Sequence, residues 1–166
     1  MNATLGVQTP EIGEGIGAAL VEGWRVSGIL RAQSGAPLTV STGQDRAMTG
    51  LVTNQRGNLV LDDPYLDDEL RWLNPAAFAQ PALGTYGDTT RGQFRGPSRW
   101  SVDVVMARLF RLANAQQIEL RAEAFNVLNT VRLEDPVTNL SNRNFGRILG
   151  IAGDMRVMQF AVKYGF

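Results

Sequence analysis

The last eleven residues of the chain, 156–166, alternate between apolar side chains and polar or small ones. Successive side chains of a β-strand point to opposite faces, so one face would carry four apolar residues: Phe160, Val162, Tyr164 and Phe166. This spacing predicts a terminal β-strand with one apolar side. Such a strand suits the edge of a soluble sheet, and it also suits a strand that crosses a bilayer, which needs about 9–11 residues.

Composition narrows the classes of protein further. The 16 Lys and Arg residues balance the 16 Asp and Glu residues, so no net charge draws the chain toward nucleic acid, and we expect no nucleic-acid partner. The absence of cysteine and histidine removes disulfides, thiolate or imidazole metal ligands, and Ser-His-Asp catalysis. We therefore expect a non-enzyme without a cofactor or metal.

Glycine is abundant, at 18 residues, and long helical periodicities are missing, which predicts an all-β fold of antiparallel strands. No apolar run approaches the roughly 20 residues that a transmembrane helix requires. Residues 1–22 contain Pro10, Gly13 and Gly15 and are predicted to form a loop. Their start has neither a basic nor an apolar segment of the secretory type, so we do not expect a secretory signal peptide there. Either the protein stays inside the cell, or Met1 is not the natural start of the full protein.

Four strands are predicted, near residues 24–42, 100–111, 116–128 and 156–166. The segment Ser34-Gly35-Ala36-Pro37 interrupts the first strand, because proline cannot donate a ladder hydrogen bond. The interruption is either a kink within one strand or a turn between two. We favour the kink, because alternating strand directions then place both chain ends on the same side.

The third strand has two chemically different faces. Ile118, Leu120 and Ala122 alternate with the charged residues Glu119, Arg121 and Glu123. This pattern fits a wall between lipid and a wet lumen, with the three charged residues facing the lumen. It fits a soluble antiparallel sheet equally well.

Aromatic residues near the strand ends fit the membrane alternative. Trp24, Trp100 and Phe110 are candidates for the aromatic residues that line a bilayer interface. Arg108 interrupts the apolar side of the second strand, where it would either extend toward a lipid headgroup or lie at a soluble edge.

Residues 43–99 are predicted to form a long irregular connection, with another at 129–154 and a short turn at 112–115. Long loops on one side and short turns on the other are typical of outer-membrane barrels. The first connection contains an acidic group, Asp62, Asp63, Asp67, Asp68 and Glu69. Carboxylates could hold calcium, but the spacing is not that of a calcium loop, and a solvated loop is the simpler interpretation.

Six stretches, taken in order, resemble the C-terminal end of TonB-dependent outer-membrane receptors, with Oar-like proteins as the most similar branch. They are GWRVSGILRAQSGAPLTVSTG, WLNPAAFAQPALGTYGD, RGPSRWSVDVVMARLF, LRAEAFNVLN, NFGRILG and QFAVKYGF. The resemblance implies the last part of a transmembrane β-barrel with long extracellular loops and short periplasmic turns, over residues 23–166. It also implies that four residues face lipid and present the terminal signal read by the barrel-assembly machinery: Phe160, Val162, Tyr164 and Phe166.

The leading hypothesis is therefore a barrel segment of a receptor that imports an unknown ligand and cannot transport alone, since four strands cannot close a barrel. Its expected partners are outer-membrane lipid, the barrel-assembly machinery and, through an N-terminal plug, the TonB system. A soluble β-sandwich that binds carbohydrate through Trp72, Tyr65 or Tyr86 is the alternative. Catalysis by paired carboxylates such as Glu119 and Glu123 is a third, which Arg121 between them disfavours.

Overall fold

The computed structural model describes residues 1–10, 22–112 and 116–166. Within these ranges the regular structure is β, with one short 3-10 helix at Pro75–Ala77, and the all-β prediction is confirmed. The strands are β1 (Asn2–Gln8), β2 (Trp24–Gln33), β3 (Pro37–Leu38), β4 (Asn58–Leu59), β5 (Phe78–Ala79), β6 (Phe94–Arg95), β7 (Arg99–Arg111), β8 (Gln117–Phe125) and β9 (Val157–Gly165). Among the described residues, no helix is long and apolar enough to pass through a membrane.

The chain divides into two compact units, and the first contains a five-stranded sheet in the order β1-β2-β7-β8-β9. This first unit comprises Met1–Gln33, Trp100–Val131 and Asp154–Phe166. β7, β8 and β9 pair antiparallel, with Met106 opposite Ala122 and Ala122 opposite Phe160. β2 also runs antiparallel to β7, since the Leu109 amide donates to the Gly23 carbonyl at 3.1 Å while Gly28 lies against Asp103.

The prediction of a loop over residues 1–22 is wrong for its first part. Asn2–Gln8 forms β1, which pairs with β2 along its whole length, from Asn2 opposite Arg31 to Gln8 opposite Arg25. Ala3, Leu5 and Val7 alternate over only a few residues, and Gly6 lies among them, so the local sequence pattern predicts a strand here only weakly. Long-range pairing with β2 supplies the backbone hydrogen bonds. Residues 11–21 of the predicted loop lie outside the described residues.

The prediction of one kinked strand over residues 24–42 is also wrong. β2 ends at Gln33, and β3 pairs with β6 in a separate two-stranded sheet. Gly35 explains the break, because a Cβ there would lie 1.8 Å from the Gly96 carbonyl oxygen. Such a close approach of two backbones is possible only for glycine. The Ser34–Pro37 interruption is therefore a change of sheet.

The second unit comprises Ser34–Arg99 and Arg132–Gly153, which are inserted between β2 and β7 and between β8 and β9. Its strands are two residues long, in agreement with the irregular connection predicted for 43–99, yet it has a hydrophobic core of its own. The core residues are Leu38, Val40, Leu73, Ala77, Phe78, Phe94 and Phe145. The Phe78 ring lies edge-on to Phe94 and Phe145, with centroids 5.0 and 5.4 Å apart, a geometry favoured by aromatic quadrupoles.

The other three predicted strands correspond to β7, β8 and β9. β8 ends at Phe125, short of the predicted limit of 128, because Asn126 adopts a φ of 50° that an extended strand does not allow. β9 ends at Gly165, so Phe166 lies one residue beyond the strand. Residues 113–115 of the predicted turn at 112–115 lie outside the described residues.

Candidate functional site: the two faces of the five-stranded sheet

One face of the sheet in the first unit carries ion pairs. Arg25 on β2 reaches across β7 to Glu119 on β8 at 2.8 Å, and Arg121 pairs with Glu123 at 2.5 Å within β8. The cross-strand register places Glu119, Arg121 and Glu123 in the rows of Leu109, Ala107 and Val105. The three residues predicted to face a lumen therefore share this face, which we call the charged face. Whether a lumen lies against the charged face stays a prediction.

A second ion pair network lies on the charged face and was missed in the sequence. Arg31 on β2 pairs with Asp103 on β7, and the Asp103 side chain is 8% exposed. The other Asp103 carboxylate oxygen accepts a hydrogen bond from the backbone amide of Asn126 at 2.9 Å. Burying a carboxylate costs free energy unless it is paired and hydrogen-bonded, and both conditions are met here.

Asn126 organises the chain where β8 ends. Its side-chain oxygen accepts from the Thr130 amide and hydroxyl, both at 2.9 Å, and its amide nitrogen donates to the carbonyls of Thr130 and Asp154. The Thr130 hydroxyl also donates to the Trp100 carbonyl at 2.8 Å. The sequence signal for this strand end was the stretch Asn126-Val127-Leu128-Asn129, in which two asparagines flank a hydrophobic pair. Asparagine tolerates a positive φ better than other non-glycine residues.

The opposite face is apolar and exposed. Phe160, Val162 and Tyr164 on β9 are 74%, 72% and 52% exposed, and they continue the rows of Ala122, Leu120 and Ile118 on β8. The same rows extend to Met106 and Phe110 on β7. On β1 and β2 the exposed apolar residues include Leu5, Val7 and Val26. We call this surface the apolar face. Single exposed apolar residues are common on proteins, but a contiguous apolar surface indicates an interaction with another protein or a membrane.

Aromatic residues lie toward both ends of the apolar face. Trp24 begins β2, Phe110 lies near the end of β7, and Tyr164 shares the Phe110 row through Ile118. Trp100 lies at the opposite end of β7 and is 45% exposed. The Phe166 ring is 98% exposed, with its centroid 6.1 Å from that of Tyr164. Trp24, Trp100 and Phe110 thus lie near strand ends, and their role as interface aromatics stays a prediction.

A cavity of about 670 Å³ lies in the first unit where β1, β2, β7, β8 and β9 come together. Arg25, Glu119 and Lys163 line it, together with Arg111 and Gln117. The lining carries both signs of charge, and the Arg25–Glu119 ion pair lies within it.

The loop residues considered as ligand-binding candidates have structural contacts in the second unit. The Asp63 and Asp68 carboxylates accept hydrogen bonds from the backbone amides of Tyr65 and Leu70, respectively. Within the described ranges, three or more acidic side chains do not gather into a cluster that could hold a metal ion.

Two of the aromatic rings considered for carbohydrate stacking also have contacts within the second unit. Trp72 donates its indole N–H to the Arg95 carbonyl at 2.7 Å, and the Tyr65 hydroxyl accepts from the Arg95 amide at 2.9 Å. Their rings meet edge-on with centroids 6.2 Å apart. Tyr86 is 68% exposed. Tyr65 and Trp72 thus pack against one another and do not present parallel faces to a sugar ring.

Comparison with protein families agrees with a sheet that has one charged and one apolar face. The family model described as outer membrane beta barrel domain matches residues 3–159. No curated protein and no solved structure matches the chain significantly. The match includes nearly all of β1, both insertions and the first three residues of β9, and it replaces the interpretation as a soluble β-sandwich. The chain belongs to the outer membrane beta barrel domain family, its antiparallel sheet is part of such a barrel, and it is located in the bacterial outer membrane.

Proposed function

We propose that the chain is a barrel segment of a TonB-dependent receptor, related to the Oar-like proteins, that imports a ligand across the outer membrane and is not transport-competent alone. The observation that carries this proposal is the sheet of the first unit, with ion pairs on one face and exposed apolar side chains on the other. In a transport barrel the charged face lines a wet interior and the apolar face contacts lipid. Phe160, Val162 and Tyr164 would contact lipid, and Glu119, Arg121 and Glu123 would face the interior.

The second unit supports a receptor role because it is a large insertion with its own packed core. Ligand-binding loops of barrels need a defined surface, and a core provides one. The loop around Asp45 presents Met48, Leu51 and Val52, which are 72%, 64% and 53% exposed. These side chains are the proposed first contacts for an extracellular ligand with an apolar part.

We also propose that the chain has no catalytic activity. Glu119 and Glu123, the pair considered as a general acid and base, each form an ion pair with an arginine. Each carboxylate is thus held by an arginine on the charged face, and these ion pairs support a structural role for both glutamates. No cofactor is needed for the proposed transport role, in which the TonB system supplies energy through a plug domain of the receptor.

Uptake under TonB control is the decisive experiment. The gene is deleted, and growth is compared with that of a strain lacking TonB function across carbon, iron and cofactor sources. We expect the deletion to reproduce a subset of the TonB growth defects, and the radiolabelled nutrient from that subset to enter only when the gene is restored. The reduction in uptake should equal that of the TonB-deficient strain, because both remove one transport step. A gene deletion that leaves every TonB-dependent growth condition unchanged would contradict the proposal.

Recognition by the barrel-assembly machinery is tested at Phe166. Replacement Phe166→Ala in the native protein should lower its outer-membrane level several-fold, whereas Phe166→Tyr, which keeps the ring, should not. The level is measured by quantitative immunoblotting of outer-membrane fractions with matched transcript levels. Equal levels of both variants and the wild type would remove Phe166 from the proposed signal.

A further inference from the structure

Arg108 is a cation within the apolar face of the first unit. Its register partner on β8 is Leu120, which is in turn opposite Val162 on β9. The guanidinium carbon lies 5.1 Å from the Trp24 ring centroid and 4.4 Å from the Phe110 ring centroid. Both distances lie within the range of a cation–π interaction, so the guanidinium is held between two aromatic rings.

The rows beside Arg108 fix its level on the sheet. On the same face, the row nearer the end of β7 contains Phe110, Ile118 and Tyr164. The row on the other side of Arg108 contains Met106, Ala122 and Phe160. Aromatic residues of membrane barrels concentrate at the bilayer interface, and the cost of an outward-facing arginine falls from the bilayer centre toward that interface. Arg108 therefore lies where the aromatic band meets the apolar rows, which is the level of lipid headgroups.

Guanidinium chemistry then defines the ligand. Its N–H donors lie in one plane and match the oxygens of a phosphate group, and the long side chain can extend along an apolar surface. The exposed side chains of Met106, Leu120 and Val162 continue away from Arg108 along the apolar face. A molecule with a phosphate group and hydrocarbon chains would contact both parts of this surface at once.

We propose that Arg108, held between Trp24 and Phe110, binds the phosphate of a phospholipid headgroup, with the acyl chains along Leu120, Val162 and Met106. This lipid site depends on outer-membrane location and is independent of the proposed uptake function. It anchors the barrel wall at a defined depth in the bilayer.

Lipid binding is measured on the full protein purified from outer membranes in detergent, by native mass spectrometry during titration with phosphatidylglycerol. Arg108→Gln should weaken binding about tenfold, the effect of losing one charge-assisted hydrogen-bonding group. Arg108→Lys should restore part of the affinity. Lys163→Gln is the matched control, because it removes a positive charge from the neighbouring row on the charged face, and it should bind as the wild type does.

Two further titrations separate the ligand sources. Diacylglycerol, which lacks the phosphate, should bind about tenfold more weakly than phosphatidylglycerol. Millimolar inorganic phosphate should fail to displace the lipid. Equal binding by Arg108→Gln and Lys163→Gln, or displacement by inorganic phosphate alone, would overturn the proposal.

A second measurement covers the case in which Arg108→Gln does not fold. The Trp72→Phe/Trp100→Phe variant, which retains Trp24, is reconstituted in phosphatidylglycerol vesicles containing lipids brominated at different depths. Quenching of Trp24 should be strongest for bromines nearest the headgroup. Strongest quenching by bromines at the chain ends would place Arg108 deep in the bilayer and reject the site.

Discussion

Asn126 shows how much one side chain can determine in this fold. It terminates β8 with a left-handed backbone conformation, and its backbone amide donates a hydrogen bond to the Asp103 carboxylate. Its side-chain nitrogen donates hydrogen bonds to the carbonyls of Thr130 and Asp154. The residue is only 3% exposed, so its polar atoms depend on these protein partners. A buried polar group without a partner costs more than the net value of the hydrogen bond it loses.

Replacement of Asn126 by alanine should therefore destabilise the first unit. We expect a loss of about 1–3 kcal/mol in the free energy of unfolding, because partner groups become unsatisfied. Urea unfolding of the reconstituted protein measures the change. Asn129→Ala is the matched control, since Asn129 shares the positive φ of 52° but accepts a single backbone hydrogen bond, from Arg156. Equal losses for the two variants would assign the effect to backbone strain and contradict the network.

Asp45 in the second unit links pH to loop order. Its carboxylate accepts hydrogen bonds from the Gln55 side chain and the Thr49 and Gly50 amides, and these hold the pKa of Asp45 below its ordinary value of 3.8. A lowered pKa in the folded state means that the stabilisation is present above pH 3.8 and is lost as the pH falls through the lower folded value. The loop should loosen in acid below that ordinary value.

The replacement Asp45→Asn should reproduce the acid effect at neutral pH and remove its pH dependence. Hydrogen-exchange protection of the amides at residues 47–51 measures loop order independently of the intrinsic exchange rate. Asp62→Asn is the control, because it removes an exposed carboxylate elsewhere in the second unit. Unchanged protection in Asp45→Asn at neutral pH would show that the carboxylate does not organise the loop.

At the scale of the element, period-two alternation explains the chemistry of β8 and β9. Neighbouring residues of one strand fall on opposite faces, so Glu119 and Leu120 belong to different surfaces although they are adjacent in the sequence. Pairing in register then joins these local patterns into two continuous faces. A shift by one residue would exchange the ion pairs with the apolar rows.

Adjacent substitutions on β9 test the assignment of the faces. Phe160→Arg should destabilise the inserted protein by about 1–3 kcal/mol, because Phe160 lies on the lipid side two residues from the row of Arg108, between the interface and the bilayer centre. Gln159→Arg is the matched control and should be nearly neutral, because Gln159 lies opposite Glu123 on the charged face. Equilibrium unfolding from phospholipid vesicles gives both values. Similar losses for the two variants would contradict the opposed roles of the faces.

At the scale of the whole molecule, the two units depend on different interactions. The first unit exposes its apolar side chains and pairs its charges, whereas the second buries apolar side chains as a water-soluble protein does. A membrane supplies the apolar environment that the first unit lacks. A substitution that unfolds the second unit should therefore leave the membrane insertion of the first unit unchanged.

Phe78→Ala tests this independence, since Phe78 contacts both Phe94 and Phe145. Removing a buried phenylalanine ring costs about 3–5 kcal/mol. We expect protease added to reconstituted vesicles to cleave the second unit much faster, with the amount of inserted protein unchanged. Tyr86→Ala removes an exposed ring of the same unit and should leave the cleavage rate unchanged. Loss of insertion in Phe78→Ala would show that the units fold together.

The sequence by itself determined the strand type, the approximate limits of β7, β8 and β9, and the separation of Glu119, Arg121 and Glu123 from Phe160, Val162 and Tyr164. These features follow from the period-two geometry of an extended backbone, which needs no distant partner. Only the tertiary structure decided that Asn2–Gln8 is a strand, that β2 ends at Gln33, and that Asp103 pairs with Arg31 and Asn126. Each of these depends on partners far away in the chain, and so does the core of the second unit, because backbone pairing and burial become favourable only when distant segments meet.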